Sequence, residues 1–157
     1  MPRRRRPIRI GSLLITAAIV LVMAVAAVLT QAPAPGGVCR GTARCFTATV
    51  THIVDGDTLD LGDDRIRLAL VNTPEVGESG YQEAKDFAAS TCPVGSQARV
   101  DEDDGQTGGS YGRIVAVVYC GGRNLNAELV SAGHGVILTD FCAVSEFAGE
   151  SWAAACP

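Results

Sequence analysis

The stretch that decides the fold is Arg65-Ile66-Arg67-Leu68-Ala69-Leu70-Val71-Asn72-Thr73-Pro74-Glu75. Ile66, Leu68 and Leu70 alternate with Arg67 and Ala69, so residues 65–71 read as a strand that buries one face and turns Arg67 to the other. Thr73-Pro74 ends that strand, because proline cannot donate to a ladder and holds its predecessor extended. Thr73 and Glu75 then place two oxygen ligands at the end of a strand that carries an arginine in its middle.

Upstream, Phe46 to Val54 is β-branched and alternating, Asp55-Gly56-Asp57 is a turn, and Thr58 to Leu61 resumes the alternation as a hairpin partner. Gly62-Asp63-Asp64 turns the chain into the deciding strand. Downstream, a glycine-rich loop to Gly80 precedes a helical spacing of apolar residues over Tyr81 to Thr91, which Cys92-Pro93-Val94-Gly95 stops. Gln97 to Asp101 and Arg113 to Tyr119 read as two strands joined by the polar loop Glu102 to Ser110. Asn124 to Ala132 fits a short helix ended by Gly133, and Val136 to Leu138 a last short strand. Ser145 to Ala155 is a further helix candidate with Ser145 as its N-cap. Five of these short strands with two to three interleaved helices predict an α+β, mainly β domain: a small, strongly bent five-stranded barrel with no internal repeat.

Residues 1–37 do not read as part of that domain. Arg3 to Arg6 and Arg9 precede an almost unbroken apolar run at residues 10–29, followed by a proline-rich linker. By the positive-inside rule the arginines stay cytoplasmic and the rest is exported. The run is long enough to remain as a membrane anchor, and Ala24-Val25-Ala26 offers a cleavage site, so a secreted and an anchored extracytoplasmic product are both expected. Residues 38–157, about 120 residues, then form one domain.

All six cysteines lie after the leader, and an even number in an exported domain points to disulfides. Six cysteines allow fifteen pairings. In an antiparallel pair the start of one strand lies beside the end of the other, which brings Cys92 to Cys120 and leaves Cys39–Cys45 and Cys142–Cys156 as local closures. A thiolate metal site is disfavoured by the lack of any Cys-x-x-Cys pair.

Setting the five leader arginines aside leaves eight Lys/Arg against 17 Asp/Glu, a net charge near −9. Such a domain is a poor general binder of nucleic acid, whose non-specific affinity comes from neutralised phosphates. Either its few arginines gather in one cleft with a cation beside them, or its partner is not a nucleic acid.

Classical nucleophilic chemistry is hard to build here. There is no Gly-x-Ser-x-Gly elbow, and His52 and His134 each sit where a structural role suffices. Asp57, Asn72, Thr73 and Glu75, by contrast, could form an all-oxygen cage suited to a hard cation such as calcium. Arg67 and Arg113 each offer a planar fork that grips two phosphate oxygens. Taken singly, each arginine and the Asp-Gly-Asp turn have bland explanations, a surface ion pair and an ordinary hairpin. Together they suggest phosphodiester hydrolysis.

Residues 46–138 resemble the staphylococcal (thermonuclease) nuclease family. The resemblance runs through Asp55-Gly56-Asp57-Thr58, Arg67, Leu70 to Glu75, Tyr81, Glu83-Ala84 and Phe87, Gly105-Gln106, Tyr111-Gly112-Arg113, and Asn126 before Leu129 and Gly133. It implies an oligonucleotide-binding-fold barrel and a calcium-dependent phosphodiesterase, with DNA and RNA as substrates and 3′-phosphates as products. Carried over by position, Asp57, Asn72 and Thr73 help hold the cation, and Glu75 contacts its water and acts as general base. Arg67 and Arg113 stabilise the phosphate with Tyr111 beside them, in a protein expected to be monomeric, and Asp55 shapes the turn. Asn72 stands where the family usually has a second aspartate, Ser110 where it often has lysine, and Thr139 and Phe141 where aromatics are expected. A silent barrel binding nucleic acid or another anionic ligand, and a purely structural envelope domain, are the alternative readings.

Overall fold

The computed structural model describes residues 39–157; the expectations for residues 1–37 lie outside the described residues. Strands β1 (Cys45–Ile53), β2 (Thr58–Leu61), β3 (Asp64–Leu68) and β4 (Val71–Asn72) are followed by helix α1 (Tyr81–Thr91). Then come β5 (Gln97–Glu102), β6 (Ile114–Cys120), β7 (Arg123–Asn124), α2 (Leu125–Ser131) and β8 (Val136–Ile137). Five strands close a mixed barrel in the order β3-β2-β1-β5-β6, all neighbours antiparallel except the closing pair β3–β6, which is parallel. The fold is thus mainly β with helices, an oligonucleotide-binding-fold-like barrel. A register shift between Val50 and His52 bends β1 so that it serves two neighbours.

The barrel interior is filled from alternating positions: Val50, Leu59, Leu61, Ile66, Leu68, Val100 and Val118, with Leu125 and Leu129 of α2 packed against them. α2 starts cleanly because the Asn124 side chain accepts from the Ala127 amide at 3.1 Å. A second, smaller cluster lies outside the barrel, built from Ala69, Leu70, Val115, Val117, Phe147 and Ala153. The cysteines are joined as Cys39–Cys45, Cys92–Cys120 and Cys142–Cys156.

Two elements differ from expectation. The deciding strand does not run through to Val71: it ends at Leu68, and Leu70 takes a left-handed backbone conformation with φ 59°. Buried Asn126 makes this break affordable. Its amide donates to the carbonyls of Ala69 (2.9 Å) and Ala116 (3.3 Å), and its side-chain oxygen accepts from the Val118 amide (3.2 Å), so the main chain freed at the break keeps its partners. Beyond it, β4 pairs antiparallel with β8 as a separate two-stranded ribbon.

The second difference is the C-terminal helix, which is replaced by two short 3-10 turns, Glu146–Gly149 and Ser151–Ala153, separated by extended Glu150 (ψ 146°). An α-helix over residues 145–155 would hold its ends about 16 Å apart. The Cys142 and Cys156 Cα atoms stand at 5.4 Å, which favours a segment folded back on itself. Ser145 still caps, accepting from the Phe147 amide at 3.3 Å.

Candidate active site

The Asp55–Thr58 turn is more than a hairpin connection. Asp55 accepts from the Asp57 amide at 3.1 Å and so shapes the turn. Gly56 is required by close approach, since a Cβ there would meet Thr73 Oγ1 at 2.7 Å and the Ala84 Cβ at 2.8 Å. The turn is thereby pressed against the end of the deciding strand and against α1, whose Lys85 donates to the Val54 carbonyl at 2.9 Å.

That packing buries Asp57 beside Thr73. Asp57 Oδ2 accepts from the Thr73 amide (2.8 Å) and hydroxyl (3.1 Å), and Oδ1 accepts from the Thr58 hydroxyl (3.1 Å) while facing Arg67 Nη1 at 3.2 Å. Burial pushes the Asp57 carboxyl above the usual carboxylate range, although Arg67 and the Thr73 amide pull the other way. The Arg67 side chain, 12% exposed, donates to the carbonyls of Leu68 and Val71 and, through Nη2, to Asn72 Oδ1 at 3.1 Å. The strand break at Leu70 makes this possible, because it folds Val71 and Asn72 back toward the guanidinium. Arg67 also feels the charges of Arg113, Asp55 and Glu75, and burial lowers its pKa most.

Arg113 comes from the far side. Its Nε donates to the Ser110 carbonyl at 3.0 Å and Nη2 to the Ser110 hydroxyl at 3.1 Å. Among the described residues its guanidinium forms no ion pair with a carboxylate. Gly109 (φ 69°) lets the loop close this tightly, for a Cβ there would sit 2.5 Å from the Arg113 carbonyl oxygen. Arg67 and Arg113 line one cavity of about 210 Å³, walled by Gln106, Leu138 and Phe141.

Not every expected residue joins this cavity. Tyr111 is 98% exposed and lines an adjoining open groove with Arg65, Asp60 and Arg113. Glu75 is exposed on the loop after β4, its amide donating to Glu78 Oε2 at 2.8 Å. Gln106, held by Asp103 at 2.8 Å, and Leu138 were not among the expected site residues. Gln106 did stand in the Gly105-Gln106 motif. Phe141 brings an aromatic ring to the cavity where Thr139 brings none.

The donors around Asp57 are hard oxygens: its carboxylate, the Asn72 amide oxygen and Thr73. Burial chiefly raises the Asp57 carboxyl despite Arg67 beside it, and a hard cation beside these oxygens would favour its charged form. The residues present therefore fit calcium, with one carboxylate fewer than an aspartate at position 72 would supply.

The structure is thus a closed barrel with a two-arginine cavity beside a buried carboxylate, a donor set whose chemistry suits an oxyanion. The chain belongs to the staphylococcal nuclease homologue family, whose model matches residues 65–146. The match contains Arg67, Asn72, Thr73, Glu75, Tyr111 and Arg113 and begins after Asp57. An uncharacterized protein of Bacillus anthracis is 32% identical over 97 residues, which cover 56% of this chain and 45% of that protein. The chain thus matches a little under half the length of that relative.

Proposed function

We propose that this protein is an exported, monomeric, calcium-dependent nuclease that hydrolyses phosphodiester bonds of DNA and RNA. Family membership supports a nuclease in general terms. The observation that carries the finer reading is the convergence of Arg67 and Arg113 on one cavity, with Arg113 paired to no carboxylate among the described residues.

The mechanism uses the chain's own groups. Arg67, held by Asp57, Asn72 and two carbonyls, presents a fixed positive charge, and Arg113 faces it across the cavity. Together they grip the non-bridging oxygens and stabilise the charge that grows as phosphorus becomes five-coordinate. Glu75 accepts a proton from the attacking water as its oxygen bonds to phosphorus. The bond from phosphorus to the leaving oxygen breaks, that oxygen takes a proton from solvent, and the upstream fragment keeps a 3′-phosphate. Asp57, Asn72 and Thr73 would hold calcium, which when bound adds positive charge beside the phosphate.

The test is digestion of single-stranded DNA and of RNA by the purified, oxidised protein with and without calcium. Cleavage in the presence of calcium alone is expected, and intact substrate under every condition refutes the reading. A second reading, a silent module that binds nucleic acid or another anionic ligand, draws on Asn72: its oxygen is already engaged by Arg67, and it carries no charge. Tight binding without hydrolysis would favour it.

A further inference from the structure

We propose that the groove at the outer end of the β4–β8 ribbon is a second nucleoside subsite. It would take the sugar and base on the side of the scissile phosphate opposite the Arg67–Arg113 cavity. The inference rests on the nuclease reading and names where its substrate must extend.

The ribbon acts as a ruler. The Leu138 amide donates to the Leu70 carbonyl at 2.8 Å, Val71 stands opposite Ile137, and Asn72 opposite Val136. Leu70 and Leu138 line the arginine cavity. Two residues further along, Asn72 and Val136 line a separate groove of about 230 Å³ together with Thr73, Pro74, Glu78 and His134. Two residues of strand span about 7 Å. The Arg67–Asn72 hydrogen bond of 3.1 Å links the two depressions. A phosphodiester carries one nucleoside on each of two ester oxygens. A phosphate held between the arginines, with one nucleoside in their cavity, therefore directs the other along the ribbon toward Asn72 and into this groove.

The lining suits a nucleoside rather than another phosphate. Among the described residues no lysine or arginine borders the groove, and the Glu78 carboxylate repels anions while accepting hydrogen bonds from hydroxyl or amino groups. Val136, 63% exposed, and Pro74 offer apolar contact. The His134 ring is held against Phe87 of α1 with centroids 4.8 Å apart, giving a positioned planar face on which a base can stack. Gly135 keeps the floor low, because a Cβ there would lie 2.9 Å from Val71 Cγ1.

The experiment compares two substrates in the presence of calcium: a nucleoside p-nitrophenyl phosphodiester, which places no nucleoside in the groove, and a tetranucleotide, which does. His134→Ala and Val136→Asp are each measured against the parent. The expected result is a fall of about tenfold in kcat/KM on the tetranucleotide, the loss of one base stack, with a much smaller change on the nitrophenyl ester. Equal losses on both substrates, or no loss on either, overturn the subsite while leaving the nuclease reading intact. A parent protein that cleaves neither substrate overturns the nuclease reading, and the subsite falls with it.

Discussion

The Arg67 guanidinium holds the side-chain oxygen of Asn72 at 3.1 Å, five residues further along the chain. One amide therefore stands between the arginine proposed to grip phosphate and the groups proposed to hold the cation. Asn72→Asp would restore a carboxylate there. The calcium concentration for half-maximal cleavage is expected to fall about tenfold, because oxygen cages tighten with ligand charge. An unchanged calcium requirement would remove Asn72 from the cation's surroundings.

Among the described residues the Arg113 side chain hydrogen-bonds only Ser110, so its replacement should leave the fold's stability within about 0.5 kcal/mol of the parent. Arg113→Ala is expected to lower kcat by about 10²–10³-fold, the cost of losing one preorganised donor to a developing oxyanion. Arg113→Lys keeps the charge but loses the fork and should recover only part of the rate. Steady-state kinetics with a parallel melting curve decide it, and full activity in the lysine variant would show that the fork is not used.

Glu75 is exposed and is tied to the fold by its main chain: its amide donates to Glu78 Oε2 at 2.8 Å and its carbonyl accepts from the Glu78 amide at 2.9 Å. Glu75→Gln should melt with the parent yet lose about 10²–10⁴-fold in kcat, the range for a general base. If the variant instead keeps its kcat at saturating calcium and shifts only the calcium requirement, Glu75 serves the cation and not the water.

Cys142 and Cys156 close the segment whose start carries Phe141 into the arginine cavity. The double serine variant is expected to lose about 3 kcal/mol of stability on loop-closure grounds. Its KM should rise more than its kcat falls, as the cavity wall loosens. A variant that melts earlier but keeps the parent KM would show that the wall holds itself.

Two carboxylates beside the Cys39–Cys45 bridge should titrate in opposite directions. Asp104 accepts from the amides of Ala43 (2.6 Å) and Thr42, which lower its pKa below the ordinary 3.8; Asp101, which accepts from the Arg40 amide at 3.0 Å, is raised above that value by burial. The lowered group supports the fold above its unfolded pKa and loses that support as pH falls through the folded one. The raised group does the reverse, and its contribution is lost as pH climbs past its folded pKa. Amide shifts followed by NMR should place the Thr42 and Ala43 midpoints below 3.8 and the Arg40 midpoint above it. A common midpoint would refute both assignments.

Periodicity made most of the barrel legible. Tyr81–Thr91 reads as a helix from spacing alone, and the alternation around Arg67 places Ile66 and Leu68 in the core. The break at Leu70 was not legible, because nothing local favours a left-handed leucine. Asn126, 56 residues downstream, supplies the partners that permit it. The folded-back C-terminus was legible in part: the expected Cys142–Cys156 bridge already required both ends of the segment to meet, which a helix over residues 145–155 does not allow. In the site, residue types announced Asp57, Arg67 and Arg113, whereas the need for glycine at position 56 depends on how closely Thr73 approaches.

The two apolar clusters have a further consequence. Arg67 rises from a strand anchored in the barrel, while Leu138 and Phe141 belong to the chain that leads into the satellite built on Phe147. On the proposed reading, the arginine that acts on the phosphate and the wall that fits the substrate lean on different clusters, joined through Val115 and Val117 of β6 and through Trp152, so a change on the Phe147 side reaches the cleft wall first and the barrel through those residues.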